Sequence, residues 1–161
     1  MAVVKVREAS PEDCLDIYRW RNDELTRQMS QTTDKVALKD HKEWFAASLK
    51  NRRRLLVICE DECDEKIGIV HFEVKGNRAL ISINIAPDKR GRGLAKTCIT
   101  EGIALLNSRF DNIHVVKAEI KPENTASQHS FLNANFTQTN QSESLLCFEY
   151  STTADTQKVD I

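Results

Sequence analysis

Between Asn84 and Ile99 the chain reads NIAPDKRGRGLAKTCI, which gathers Lys89, Arg90 and Arg92 around two glycines. The residues before it alternate as in a strand, and those after it repeat at helical spacing. A helix start exposes backbone N–H groups without intrahelical acceptors and carries partial positive charge. Gly91 and Gly93 reach dihedrals that other residues avoid and let the main chain come close to a ligand. Arg90, Arg92 and Lys96 add full positive charge at the same place. A strand, such a turn and a helix make a pyrophosphate-binding arrangement. Two nucleotide signatures are missing. There is no G-x-x-x-x-G-K-[ST], and Lys96 stands where the third glycine of G-x-G-x-x-G belongs. On the residues alone, three readings stay open: phosphate binding, nucleic-acid binding helped by Arg52, Arg53 and Arg54, and a structural turn with solvated cations.

The elements that must position this turn follow from periodicity. AVVKVREAS is a short alternating strand ending at Ser10-Pro11, where Ser10 suits an N-cap and Pro11 the first helical position. Glu12 and Asp13 favour the positive end of the helix dipole. Cys14, Ile17 and Tyr18 then recur at helical spacing to about Trp20. RWRNDELTRQMSQTTD reads as a loop or broken helix. Leu38, His41, Trp44, Phe45 and Leu49 sit three and four apart and predict an amphipathic helix. RLLVICE and KIGIVHFEVK, joined by DECDE, and RALISINIAP after KGN predict a three-stranded antiparallel meander. LAKTCITEGIALLNSRF is helical, IHVVKAEI a strand, NTASQHSFLNANF a short helix and LLCFEY a last strand. The strand–helix–strand unit across the glycines makes that part of the sheet parallel.

Composition narrows the partners. The chain has 161 residues, suited to one domain over 1–150 with a polar tail over 151–161. Twenty-three basic residues nearly balance 24 acidic ones for a net charge of −1, so no global basic field attracts nucleic acid or an anionic membrane. No apolar run is long enough to cross a bilayer, and the N-terminus lacks the layout of a secretory signal. Cys59 and Cys63 come closest to metal-ligand spacing, but no second pair or nearby His completes a site. The five scattered cysteines read as free thiols of a reducing cytosol.

Arg90, Gly93 and Ala95 fit a longer pattern: Arg or Gln, two residues, Gly, one residue, then Gly or Ala. Downstream, KPENTASQHSFLNANF places Asn124, Phe131 and Phe136 as an Asn-containing helix leading to an aromatic residue and a final Phe. With both features in register, the sequence resembles the GNAT acetyltransferase superfamily over roughly residues 3 to 150. The resemblance implies an α/β fold, with a mostly antiparallel mixed sheet of about seven strands flanked by about four helices. It implies acetyl-CoA as co-substrate, with the pyrophosphate against Arg90, Gly91, Arg92, Gly93, Leu94, Ala95 and Lys96. The pantetheine arm would pair with backbone around Ile85 and Ala86 and reach Asn124 and Ser127. Two departures stand out. Phe131 occupies the place of a Tyr proposed to protonate the leaving thiolate, and Asn135 replaces the usual Gly before Phe136. Asn tolerates positive φ better than most residues.

The family reaction is direct attack of an amine on the thioester carbonyl, without a covalent enzyme intermediate. A base must take the ammonium proton. Glu119 on the fifth strand ranks first, followed by His71 and Glu73 on the third, with a water chain as the alternative. The segment after the first helix shapes the acceptor site in this family. Trp20, Arg21, Asn22 and Trp44 are its candidates, a partly aromatic, hydrogen-bonding wall suited to an amino sugar. RWRND and the later His41, Trp44 and Phe45 are similar to sugar-amine acetyltransferases of pseudaminic acid synthesis. That implies a nucleotide-linked amino sugar as the small-molecule amine. Protein N-termini and polyamines are the alternatives; for a polyamine, EDECDE would supply an acidic pocket. A non-catalytic acetyl-CoA-binding module on the same fold is a further alternative. Edge strands of this fold often pair between subunits, which extends the resemblance to a homodimer.

Overall fold

The computed structural model of the protein describes residues 3–139 and 144–152. The alternating first segment forms β1 (Lys5–Glu8), and a 3-10 turn over Pro11–Asp13 leads into α1 (Cys14–Arg21). Ser10 is the cap residue and Pro11 takes the first position of the turn, as expected. The Ser10 N–H donates to Asp13 Oδ2 at 2.8 Å, so the acid reaches back to the cap residue. A second short helix, α2 (Glu24–Met29), occupies the stretch expected to be a loop or broken helix. It starts on Asp23, whose carboxylate accepts from the Thr26 N–H at 3.1 Å. α3 (Leu38–Lys50) follows; with two more further along, the described residues hold five α-helices, in keeping with the expectation of about four.

The meander is β2 (Arg54–Glu60), β3 (Lys66–Lys75) and β4 (Arg78–Ile85), all antiparallel, with β1 outside β2. Then come α4 (Ala95–Arg109), β5 (Val115–Ile120), α5 (Thr125–Asn133), the two-residue β6 (Thr137–Gln138) and β7 (Leu146–Ser151). The seven strands form one sheet in the order β1-β2-β3-β4-β5-β7-β6. Among the described residues only β4 and β5 run parallel, as a crossover through α4 requires. β7 extends one residue past the expected domain end; positions 153–161 of the expected tail lie outside the described residues.

Alternation assigns the two sheet faces. Val70, Phe72, Ile81, Val116 and Ala118 meet Ile99, Ile103 and Leu106 of α4 and Phe131 of α5 in the larger core. Leu56, Ile58 and Ile69 meet Ile17 and Trp20 of α1 and Phe45 of α3 on the opposite face. Each buried side chain of this size contributes about 1.5–3 kcal/mol of transfer free energy. Asn135 takes φ of 70°, the left-handed turn expected of it, and the chain returns so that Phe136 stacks edge-on against Phe131 at 4.9 Å. No helix among the described residues is long and apolar enough to cross a membrane. All five cysteines are free; Cys59 is buried in the core and Cys63 is exposed on the hairpin.

Candidate active site

The parallel ladder between β4 and β5 holds only three pairs, Arg78–Val115, Ala79–Val116 and Leu80–Lys117. Beyond them the strands part. Backbone polar groups of residues 81–85 that point away from β3 therefore have no strand partner on that side. The gap passes through the sheet, so residues of both faces line one cavity of about 400 Å³, among them Ile81, Ser82, Ala118, Glu119 and Phe131. A second cavity of about 370 Å³ continues from it along Ile85, Gly91, Gly93, Leu94 and Ala95. The two share Met29, Ser30, Ile83, Asn124 and Ser127, so they are one cleft.

The glycine turn forms one end. Gly91 and Gly93 take φ of 75° and 70°, and a Cβ at either would meet nothing within 4 Å. It is the left-handed backbone, rather than crowding, that demands glycine, and the space beside it is open to a ligand. α4 begins at Ala95, so its first-turn N–H groups, including that of Lys96, face the turn without intrahelical acceptors. Lys96 itself is exposed and outside the cavity lining. Two cations of the turn are already engaged: Lys89 Nζ lies 2.7 Å from Glu65, and Arg92 donates to the Asp88 carbonyl at 3.2 Å. Arg90 reaches Asp23 Oδ2 at 2.9 Å and Thr26 Oγ1 at 2.7 Å, and Thr26 Oγ1 in turn donates to Asn84 Oδ1 at 3.2 Å. Burial would raise the Asp23 carboxyl, but the Arg90 guanidinium and the Thr26 N–H hold it below its ordinary value. α2 is thus clamped to the turn. Ala86 lies elsewhere: it is 2% exposed, in the smaller core, and its N–H donates to the Ile67 carbonyl at 2.9 Å.

The proton-accepting candidates separate. Glu119 lines the cavity on the sheet face that also carries Ser82, and among the described residues it makes no ion pair with Lys117 or Lys121. Lys121 instead donates to the Gln28 carbonyl at 3.0 Å. His71 lies behind Trp44, whose ring meets it edge-on at 5.9 Å, and its buried Nε2 has no partner. Burial lowers its pKa, keeping it neutral, and it lines neither cavity. Glu73 is exposed on β3, opposite Arg54, and also lines neither.

Of the four expected acceptor residues, Arg21 alone lines a cavity. Trp20 is 8% exposed and belongs to the smaller core, where an indole at a helix end satisfies packing rather than recognition. Asn22 anchors the loop after α2: its side chain donates to the Val36 carbonyl and accepts the Val36 N–H, both at 2.9 Å. Trp44 supports Arg21, whose guanidinium carbon lies 4.8 Å from the ring centroid. The same cavity is also lined by Met29 at the end of α2 and by Gln31, Thr32 and Asp34 of the loop after it, residues that no motif announced. The acidic hairpin lies elsewhere. Asp61 accepts the Cys63 and Glu65 N–H groups, and Asp64 and Glu65 pair with Lys5 and Lys89. The basic Arg52–Arg54 segment sits at the Glu73 end of the sheet, whereas the glycine turn follows the Gly68 end, so the two basic runs do not form one surface.

A sheet split between two parallel strands, with a glycine turn and helix start at the split, is the arrangement that the resemblance to acetyltransferases implies. The family model for the acetyltransferase (GNAT) domain matches residues 4–137, and the chain belongs to the GNAT acetyltransferase family. Among solved structures it is similar to spermidine N-acetyltransferase from Vibrio cholerae in complex with CoA and spermine. The TM-score is 0.83 at 16% identity, covering 93% of this chain and 96% of that one. It is likewise similar to aminoglycoside acetyltransferase AAC(6')-Ib in complex with coenzyme A and kanamycin, with TM-score 0.82, 15% identity and coverage of 98% and 99%. No curated protein is matched by the sequence.

Proposed function

We propose that the protein transfers an acetyl group from acetyl-CoA to the primary amine of a small molecule of the amino-sugar class, free or nucleotide-linked. The observation that carries this reading is the continuity of the cleft, from the glycine turn through the β4–β5 gap to Glu119. The residues fit the co-substrate. The turn from Arg90 to Leu94 and the first-turn N–H groups of α4 suit a pyrophosphate, and the unpaired edge of β4 at Ile83–Ile85 suits an extended amide-bearing arm. Asn124 and Ser127 line both halves of the passage. Acetyl-CoA supplies an activated acetyl thioester.

The chain's own work is then orientation and proton removal. The cleft walls hold the two reactants together, which by itself supplies a large part of the rate. Glu119 takes the proton of the acceptor ammonium. Phe131 is 2% exposed and has no proton to give, so that role falls to water or to one of the hydroxyls lining the larger cavity, Ser30, Thr32, Ser82 or Ser127. The mixed polar lining favours an amino sugar over a polyamine, because the acidic hairpin is committed to Lys5 and Lys89 and lines neither cavity.

A thiol-release assay with acetyl-CoA over amino sugars, nucleotide-linked amino sugars, spermidine and Ala- or Ser-starting peptides tests the reading. Turnover of amino sugars, lost in Arg90→Ala/Gly93→Pro, supports it; turnover of spermidine or peptides alone overturns the acceptor class. Tight acetyl-CoA binding without turnover of any amine would leave a binding module.

Two narrower outcomes are expected. Gly93→Ala places a side chain on backbone at φ 70°, a strain of roughly 1–2 kcal/mol. The KM for acetyl-CoA should rise about tenfold with kcat nearly kept. Asn22→Ala cuts both bonds to Val36 and should raise the acceptor KM by about tenfold while leaving the acetyl-CoA KM unchanged, as bisubstrate kinetics would show.

A further inference from the structure

The guanidinium of Arg21 stands out in this cleft because nothing negative compensates it. It is half-buried, lines the larger cavity, and makes no ion pair among the described residues, although Asp34 and Glu119 line the same space. Its two contacts are neutral. One is the Trp44 face at 4.8 Å. The other is His41 Nδ1, 3.3 Å from Nη1. His41 is fully buried, and its Nε2 lies 2.9 Å from the Cys14 carbonyl, a contact that requires Nε2 to carry the hydrogen. Nδ1 is then a lone pair that accepts from Arg21. Burial outweighs the opposing hydrogen bond to the Cys14 carbonyl and, with the nearby Arg21 charge, lowers the His41 pKa and keeps the ring neutral. Burial likewise lowers Arg21 from its ordinary value.

A partly desolvated cation held in a fixed direction by a neutral acceptor and an aromatic face is costly unless an anion completes it. Arginine has five N–H donors in a planar fork matched to carboxylate and phosphate oxygens. One points to His41, leaving the others for the cavity. We infer that Arg21 is the receptor for an anionic group, a carboxylate or a phosphate, carried by the acceptor molecule at a distance from its reacting amine. This deepens the N-acetyltransferase reading and rests on it. It also separates the acceptor from a purely neutral or cationic amine, which would leave the Arg21 guanidinium without a counter-ion.

The test begins with protein saturated with CoA, so that the glycine turn is filled. Inorganic phosphate and, separately, acetate are titrated by calorimetry into the wild type, Arg21→Gln and Arg21→Lys, each checked for an unchanged melting temperature. At least one anion should bind the wild type about tenfold or more tightly than Arg21→Gln. Arg21→Lys, which keeps the charge and loses the fork, should fall between. Phosphate alone would point to a phosphorylated or nucleotide-linked acceptor, acetate alone to an amino acid or acidic sugar. In turnover, glucosamine 6-phosphate should show a KM about tenfold below that of glucosamine if the anion is phosphate, and Arg21→Gln should abolish the difference. No anion binding to the wild type, or equal binding to wild type and Arg21→Gln, would overturn the inference. Arg21-dependent anion binding with no turnover of any amine would instead sink the acetyl-transfer reading and leave the anion site standing.

Discussion

Glu119→Gln should lower kcat for acetyl transfer roughly 10²- to 10⁴-fold, the range of a lost general base, with the KM for acetyl-CoA little changed. The amide keeps the size and much of the hydrogen bonding of the carboxylate, but it cannot take a proton from an ammonium at neutral pH. Among the described residues Glu119 has no ion pair to lose, so the fold has little reason to respond and the melting temperature should stay close to that of the wild type. Raising the pH should restore part of the lost rate, because a larger share of the amine then arrives already deprotonated. Glu73→Gln is the control on the same sheet. Its carboxylate is exposed and outside the cleft, so its kcat should stay near wild type. A wild-type kcat in Glu119→Gln would move the base to a water chain, the alternative that the residues alone left open.

The largest effect on stability is expected at Asp13, far from the chemistry. Its side chain is 1% exposed, and it holds Arg7 Nη1 at 2.8 Å, Arg7 Nη2 at 3.0 Å, Lys66 Nζ at 2.7 Å and the Ser10 N–H at 2.8 Å. Burial would raise its pKa, but the hydrogen bonds from Arg7, Lys66 and Ser10 outweigh that and hold it well below the usual carboxylate range. Asp13→Ala leaves two cations and a backbone donor without their shared acceptor. Breaking a buried pair costs about 3–5 kcal/mol. The lower end applies, because Lys66 keeps Asp16 at 2.8 Å and Arg7 keeps Glu60 at 3.4 Å. Urea unfolding at neutral pH should show a loss of about 3 kcal/mol. Asp13→Asn, which still offers an acceptor to Ser10, should lose less. The folded pKa is depressed, so this stabilisation is present above the unfolded value of about 3.9 and fades as the pH falls below it. Wild-type and Asp13→Ala stabilities should therefore converge in acid.

Most of the fold is local chemistry and was legible for that reason. The meander announced itself by alternation and by its polar turns, and the glycine turn by its place between a strand and a helix. The parallel β4–β5 pairing followed from the crossover. α2 was legible only as a loop or broken helix because its single apolar pair, Leu25 and Met29, is too short a periodic signal; what holds it is Arg90, whose partner Asp23 lies 67 residues away. β6 is two residues long, below any pattern. Asp13 looked like a dipole-friendly acid beside a helix start, and nothing local revealed that Lys66 would reach it. Trp20 and His71 lie outside the cleft lining for the same reason: residue type suggests chemistry, but only the packed sheet decides which side chains face a cleft. Arg21 stood in a suggestive stretch, yet its lack of a counter-ion is a three-dimensional fact.

The three-pair ladder has a mechanical consequence. One end of the sheet is a hinge of hydrogen bonds and the other a slit, so the backbone of residues 81–85 and of the end of β5 has fewer bonds to break before it meets water. Local opening should begin there, and amide hydrogen exchange along that slit should be faster than in β2 and β3, which are paired along both edges. A ligand that lies in the slit as a missing strand then does more than bind. It stitches the two parts of the sheet together, and at a concentration of 100 times its Kd it adds about 2.7 kcal/mol to the stability of the whole.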